Sequence, residues 1–210
     1  METLKVAVFA SGRGSNLSAL LQAIRAGRLD AEIVFVMSNR AEAGALHIAR
    51  ENGIQAIHLC REQFDSGKSF NRELLEILHT AGVEVIALAG YLKKIDTDIL
   101  HAYKNRIVNV HPALLPSFGG KGMYGLRVHE AVLDYGCKVS GVTVHLVDDE
   151  YDTGVPILQK CVPVEPGESP ETLAARVLKQ EHIIYAEALQ LFAEKRIEVQ
   201  GRKVIIKEKS

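Results

Sequence analysis

The sequence predicts an α/β protein built on a doubly wound, mostly parallel sheet. Its C-terminal part adds antiparallel strands and a long helix. Three observations carry this. Apolar runs without alternation, at residues 5–10, 32–37 and 83–89, read as strands covered on both faces. Helical stripes stand between them, closed by glycine stops such as Gly53 and Gly82. After Pro116 the pattern changes to an alternating strand, an acidic turn and a long apolar stripe.

Residues 5–10 form the first strand, and Ser11-Gly12-Arg13-Gly14-Ser15-Asn16 follows at once. Leu17, Leu20, Leu21 and Ile24 then recur at helical spacing. A helix start presents backbone N–H groups and the positive end of its dipole, which suits a phosphate. Ser15 and Asn16 stand where they can cap the helix as well as touch a ligand. The loop reads equally as a phosphate cradle or as a tight turn before a capped helix. A dinucleotide fingerprint fits less well. Leu17 stands where the third glycine belongs, the second strand ends in Ser38-Asn39-Arg40 without a ribose-binding acid, and the lysine of a P-loop is absent.

The alternation continues with a helix over 41–52, a strand over 55–59, and a helical stripe of Phe70, Leu74, Leu75 and Leu78. After strand 83–89, Leu92, Lys93, Lys94 and Ile95 follow a C-terminal strand end, where ligands of open α/β sheets collect. A short helix over 96–103 leads into Ile107-Val108, which completes the doubly wound part at about residue 110.

Asn109-Val110-His111-Pro112-Ala113-Leu114-Leu115-Pro116 comes next. Alternation puts Asn109 and His111 on one side of the strand, and neither belongs in a core unless satisfied. The two prolines stiffen the exit, with the bond before Pro116 a candidate for cis. Residues 117–125, with four glycines, read as an adaptable loop, and a short helix over 128–135 stops at Gly136. In 142–147, Val142, Val144 and Leu146 take one face and Thr143 and His145 the other. The acidic turn 148–154 precedes a strand over 156–159. Ser169-Pro170-Glu171 starts a helix, and 204–207 reads as a terminal edge strand.

Composition narrows the function. With 47% hydrophobic and 24% charged residues, the 210-residue chain is of ordinary globular type. Lys plus Arg number 25 against 26 Asp plus Glu, so no basic field calls for nucleic acid. No apolar run is long enough to span a bilayer, and the opening Met1-Glu2-Thr3-Leu4-Lys5 lacks a secretory pattern. Cys60, Cys137 and Cys161 are odd in number and unpaired in spacing, which suggests reduced thiols in a cytoplasmic protein.

The chemistry-bearing residues are Asn109, His111, His145 and Asp152, at strand ends or in loops leaving strands. His145 reads equally as structural, and Asp148, Asp149 and Glu150 equally as a solvated turn. His58, His79 and His101 look like ordinary surface or element-end residues, and His129, on a short helix after the flexible loop, is not a site candidate. A metal site on His111, His145 and Asp152 lacks any supporting ligand spacing, and a serine hydrolase lacks its Gly-x-Ser-x-Gly elbow. Acyl-type chemistry without a covalent intermediate does fit. Asn109 would donate to a developing oxyanion, His111 would handle the proton, and Asp152 would hold the imidazolium.

The segment from Asn109 to Pro116 resembles the Asn-x-His-Pro-Ser-Leu-Leu-Pro signature of the folate-dependent formyltransferases, and the segment from Val144 to Gly154 resembles their second conserved stretch. Ala10-Ser11-Gly12-Arg13-Gly14-Ser15-Asn16-Leu17, Leu88-Ala89-Gly90-Tyr91-Leu92 and the run from Ala175 to His182 are similar to the branch that formylates glycinamide ribonucleotide in purine biosynthesis. The resemblance covers nearly the whole chain in order. It implies a Rossmann-like fold and a single formyltransferase domain over 1–210, with a phosphate-binding half 1–110 and a folate-binding, catalytic half 111–210. The implied reaction moves a formyl group from 10-formyltetrahydrofolate to the glycyl amine, without a metal.

By the same resemblance, Gly14, Ser15 and Asn16 hold the ribose-phosphate and Glu181 contacts the same substrate. Leu92, Lys93, Lys94 and Ile95, with Asn109 and Asp148, Asp149, Glu150, Tyr151 and Asp152, take the folate. Asn109, His111 and Asp152 match the catalytic trio, supported by His145. Asp152 is expected to raise the pKa of His111 by favouring its charged form. Small-molecule partners, a cytoplasmic location, and a monomer or weak homodimer without nucleic acid or membrane complete the expectation.

Three departures stand out. Gly67 falls where relatives often carry a basic residue for the folate tail, which leaves Lys68 as the nearest substitute. The loop 119–125 is longer than in some relatives and reads as a flap. Leu178 replaces a polar contact. The alternatives are another formyl-handling enzyme of this fold, acting on a nucleotide sugar, a tRNA-bound amino acid or water, and a non-catalytic nucleotide-binding module. The Ser15-Asn16 loop and the lack of an appended or basic extension argue against the former.

Overall fold

The structure is a computed structural model and describes residues 3–208; Met1 and Glu2 of the opening segment lie outside them. The described chain divides after Val108 into two compact units. The main sheet has seven strands in the order β3-β2-β1-β4-β5-β6-β7, so its strands are mostly parallel with an antiparallel end.

In the first unit, β1 (Leu4–Phe9) lies between β2 (Ala31–Ser38) and β4 (Val85–Leu88), and β3 (Gln55–His58) flanks β2. All three of these pairings are parallel. Val6, Ala7, Val8 and Phe9 are all buried, which is why β1 reads as an apolar run after Lys5, the one residue of the strand that faces water. Helices α1 (Ser15–Arg25), α2 (Gly44–Glu51), α3 (Gly67–Thr80) and α4 (Thr97–Ala102) complete the unit. Residue 41 does not start α2 as expected. The helix begins at Gly44, where a Cβ would stand 2.8 Å from the Arg13 carbonyl oxygen. The Ala45 N–H donates to the Gly12 carbonyl, so the helix start is set by its packing on the glycine loop.

Strand β5 (Ile107–His111) carries the chain across the boundary. In the second unit, α5 (Leu126–Asp134) is followed by β6 (Val139–Leu146) and β7 (Pro156–Pro163), which pair antiparallel. Strand β7 runs four residues past the expected end at Gln159. Helix α6 (Pro170–Ala193) packs against α5, β6 and β7 through Leu173, Val177, Ile184, Ala188 and Leu189. Each of these side chains other than Ala188 contributes about 1.5–3 kcal/mol on burial. Its N-cap is Ser169, whose hydroxyl accepts the Thr172 N–H, as the Ser-Pro start implied. The terminal strand is not an edge of the main sheet. It is β9 (Lys203–Ile206), half of a separate hairpin with β8 (Ile197–Gln200), a strand too short to signal itself.

Candidate active site

The second unit gathers the catalytic candidates around one carboxylate. Asp152 Oδ2 lies 3.5 Å from His111 Nδ1, and Asp152 Oδ1 lies 3.6 Å from His145 Nε2. The Gly120 N–H donates to the same carboxylate at 2.9 Å. His111 and His145 are 3% and 2% exposed, so both rings meet that carboxylate away from bulk water.

Ring tautomers follow from the remaining partners. A carbonyl oxygen only accepts, so His145 carries hydrogen on Nδ1, donating to the Leu146 carbonyl at 2.8 Å. The Asn109 amide then donates to His145 Nε2 at 3.1 Å, keeping one N–H for another acceptor. His111 Nε2 donates to the Phe118 carbonyl at 2.8 Å. Asn109 and His111 do share a side of β5, but each reaches Asp152 differently: His111 touches it, and Asn109 is linked to it by way of His145.

The charge balance corrects one expectation. Burial pushes His111 below its usual value and outweighs the nearby Asp152 carboxylate and the Phe118 carbonyl, both of which push it up; His145 adds to the lowering. The ring is therefore held neutral more firmly than a free imidazole. For Asp152, burial alone pushes upward. The adjacent His145 and His111 rings and the Gly120 N–H together hold it below the usual carboxylate range.

In the first unit the glycine loop has the expected strand–turn–helix form, with one correction. Gly14 is the N-cap of α1, and no side chain caps the helix; Ser15 and Asn16 are already helical. Gly14 has φ +87°, and a Cβ there would stand 2.8 Å from Ala45 Cα, so this position takes only glycine. The loop is tied down by Ser11, whose hydroxyl donates to Asn39 at 2.5 Å and accepts the Leu92 N–H at 3.0 Å. Beside it lies an open cleft of about 460 Å³ lined in part by Arg13 and Arg40, neither of them a sequence candidate.

The expected folate residues divide by exposure. Leu92 is exposed, Ile95 is buried, and Lys93 lies 3.9 Å from Glu62 on the surface. Lys68 is exposed in the first turn of α3, while the Arg61 guanidinium fills the space that a side chain at Gly67 would need. Asp148 is used within its own turn, accepting the Thr153 hydroxyl at 2.6 Å and the Glu150 N–H at 3.3 Å. Asp149, Glu150 and Tyr151 are exposed, and Glu181 is buried on α6. A cleft of about 300 Å³ opens beside Asp152, between Leu115, Pro116, Gly119, Tyr151, Pro156 and Arg202. Among the described residues, no cluster of three or more His, Cys, Asp and Glu has the geometry to hold a metal ion.

A family model described as formyl transferase matches residues 4–189. The chain belongs to the formyl transferase family. It is 41% identical over 194 residues to the chloroplastic phosphoribosylglycinamide formyltransferase of Arabidopsis thaliana, over 92% of this chain and 66% of that one. The chain thus spans just under two thirds of that relative's length. It is 36% identical over 196 residues to phosphoribosylglycinamide formyltransferase of Escherichia coli (strain K12), covering 93% of this chain and 90% of that one. Among solved structures, glycinamide ribonucleotide transformylase 1 from Symbiobacterium toebii matches with TM-score 0.91 at 41% identity, over 98% and 95% of the two chains.

Two side chains that sequence reasoning missed brace this candidate site. The Thr143 hydroxyl donates to the Ala113 carbonyl at 2.7 Å and accepts the Leu115 N–H at 3.0 Å. Gln159 Nε2 donates to both the Leu115 carbonyl and the Thr143 hydroxyl at 3.0 Å. Together they clamp the turn after His111, which includes the cis Leu115–Pro116 bond. Pairing of Thr143 with Gln159 across β6 and β7 is the only signal, and it appears once the register is known. His129 was also missed. It lies on the short helix α5 as expected but is 3% exposed, and burial lowers its pKa, aided by the charge of His111 and opposed by Glu168.

Proposed function

We propose that this chain transfers the formyl group of 10-formyltetrahydrofolate to the glycyl amine of glycinamide ribonucleotide, giving N-formylglycinamide ribonucleotide and tetrahydrofolate in purine biosynthesis. The observation that carries this reading is the Asp152 carboxylate held between His111 and His145, with Asn109 donating to His145, in a chain of this family. The amine lone pair attacks the formyl carbon, and the carbonyl electrons move onto oxygen. The second Asn109 N–H donates to that oxyanion, a contact typically worth about 3 kcal/mol.

His111 enters neutral because burial favours that form, so it accepts the proton from the attacking amine. The resulting imidazolium forms beside Asp152, whose charge compensates it. Collapse of the tetrahedral species breaks the bond to folate N10, and the proton passes to that nitrogen. In this reading Gly14, Ser15 and Asn16 take the phosphate, and Glu181 the same substrate. Leu92, Lys93, Lys94 and Ile95, with Asp148 to Asp152, serve the folate, and Lys68 its tail. His145 orients Asn109 and Asp152. A net charge of −1 supports small molecules rather than nucleic acid as partners, and we read the protein as a cytoplasmic monomer or weak homodimer.

The test is a formyl-transfer assay that follows the absorbance of the deformylated folate, with and without the ribonucleotide and with and without a chelator. The expected result is folate turnover only with the ribonucleotide present, unchanged by chelation. Turnover in its absence would identify a hydrolase instead.

A further inference from the structure

Asp152 adopts φ +57°, the left-handed region that costs a non-glycine residue energy and persists only where its surroundings hold it. Its carboxylate contacts account for the side chain. The backbone needs its own restraints, and they lie just downstream. Gly154 presses against the Leu146 carbonyl oxygen so closely that no side chain fits there. The Leu146 N–H donates to the Val155 carbonyl at 2.9 Å. Between these and Asp152 lies the Thr153 carbonyl, and its partner is Arg202, whose Nη2 donates to it at 2.9 Å from the turn of the β8–β9 hairpin. Arg202 also lines the cleft beside Asp152. The hairpin follows residue 189, where the family match ends.

We propose that Arg202 is a positioning residue for the transfer reaction: by holding the Thr153 carbonyl it keeps the Asp152 backbone left-handed and the carboxylate between His111 and His145. The role rests on the proposed function for its kinetic consequence but not for its structural one. The guanidinium reaches the Thr153 carbonyl with a single N–H, which holds the distance of that peptide from the hairpin turn. Without it, the backbone from Tyr151 to Thr153 is held only by its internal turn contacts and by the Asp152 side chain, and it relaxes from the left-handed conformation. The carboxylate then drifts from the rings.

Arg202→Ala and Arg202→Lys separate this role from a general contribution to folding. In Arg202→Ala, kcat falls by about tenfold or more, the scale expected for a sub-ångström to ångström misplacement, while KM for both substrates stays close to wild type. The ring proton resonance of His111, identified by its loss in His111→Asn, titrates at lower pH than in wild type, because the carboxylate that favours its charged form has moved away. Arg202→Lys, which still offers a cation to the same carbonyl, recovers part of both effects. Unchanged kcat with an unchanged His111 titration in Arg202→Ala would overturn the proposal, as would a loss of turnover with no shift in that titration. If wild type transfers no formyl group, the functional reading fails, and the titration alone decides whether Arg202 positions Asp152.

Discussion

Asp152 serves two imidazoles and a backbone N–H at once, and its neighbours matter because each fixes one of those relations. Thr143 shows how much such support is worth. It is fully buried, and its hydroxyl is the common partner of Ala113, Leu115 and Gln159. Thr143→Val keeps the shape and strands those groups without a partner, so urea denaturation should show a loss of about 1–3 kcal/mol. A loss near zero would show that the clamp is dispensable. At this scale the sequence was informative where a polar residue sits at a strand end, as with Asn109 and His111. It misled on the sign of the His111 shift, which the Asp152 charge alone would raise and which is in fact lowered. That sign is a contest between burial and the Asp152 charge, and burial depends on residues distant in sequence.

Among the elements, α6 is the plainest case of local signals agreeing with the fold. A Ser169 cap, a proline in the first turn and an apolar stripe all point the same way. Ser169→Ala removes the acceptor of the Thr172 N–H and should cost about 1 kcal/mol, read as a lower denaturation midpoint with an unchanged slope. No change in midpoint would mean that packing alone sets the start of this helix. Strand β1 was legible because both its faces are covered, leaving no alternation to mistake for a helix. The start of α2 was not, since Gly44 is placed by the Arg13 carbonyl rather than by a capping side chain. Strand β8 was missed for a similar reason. Its four residues show nothing distinctive until β9 pairs with them.

The molecule as a whole stores its pH dependence in buried rings. Burial lowers His111, His129 and His182 below the ordinary imidazole value of 6.5. The unfolded chain therefore binds more protons below that value, so stability is complete above it and declines as pH falls towards the folded-state values. Asp152, also lowered, adds stability that is present above the ordinary carboxylate value of 3.8 and lost on further acidification. Melting temperature should thus fall between about pH 7 and about pH 5, and fall less in His129→Asn, which removes one of the three rings. An identical decline in that variant would remove His129 from the account. The central claim is that Asp152 organises the transfer of a formyl group. Its most direct test is turnover of Asp152→Asn with both substrates, beside a circular dichroism spectrum of the same sample. The account predicts a native spectrum with turnover reduced by about 100-fold or more, as expected when the carboxylate orienting a catalytic imidazole is lost. Turnover close to wild type in a folded Asp152→Asn protein would contradict it.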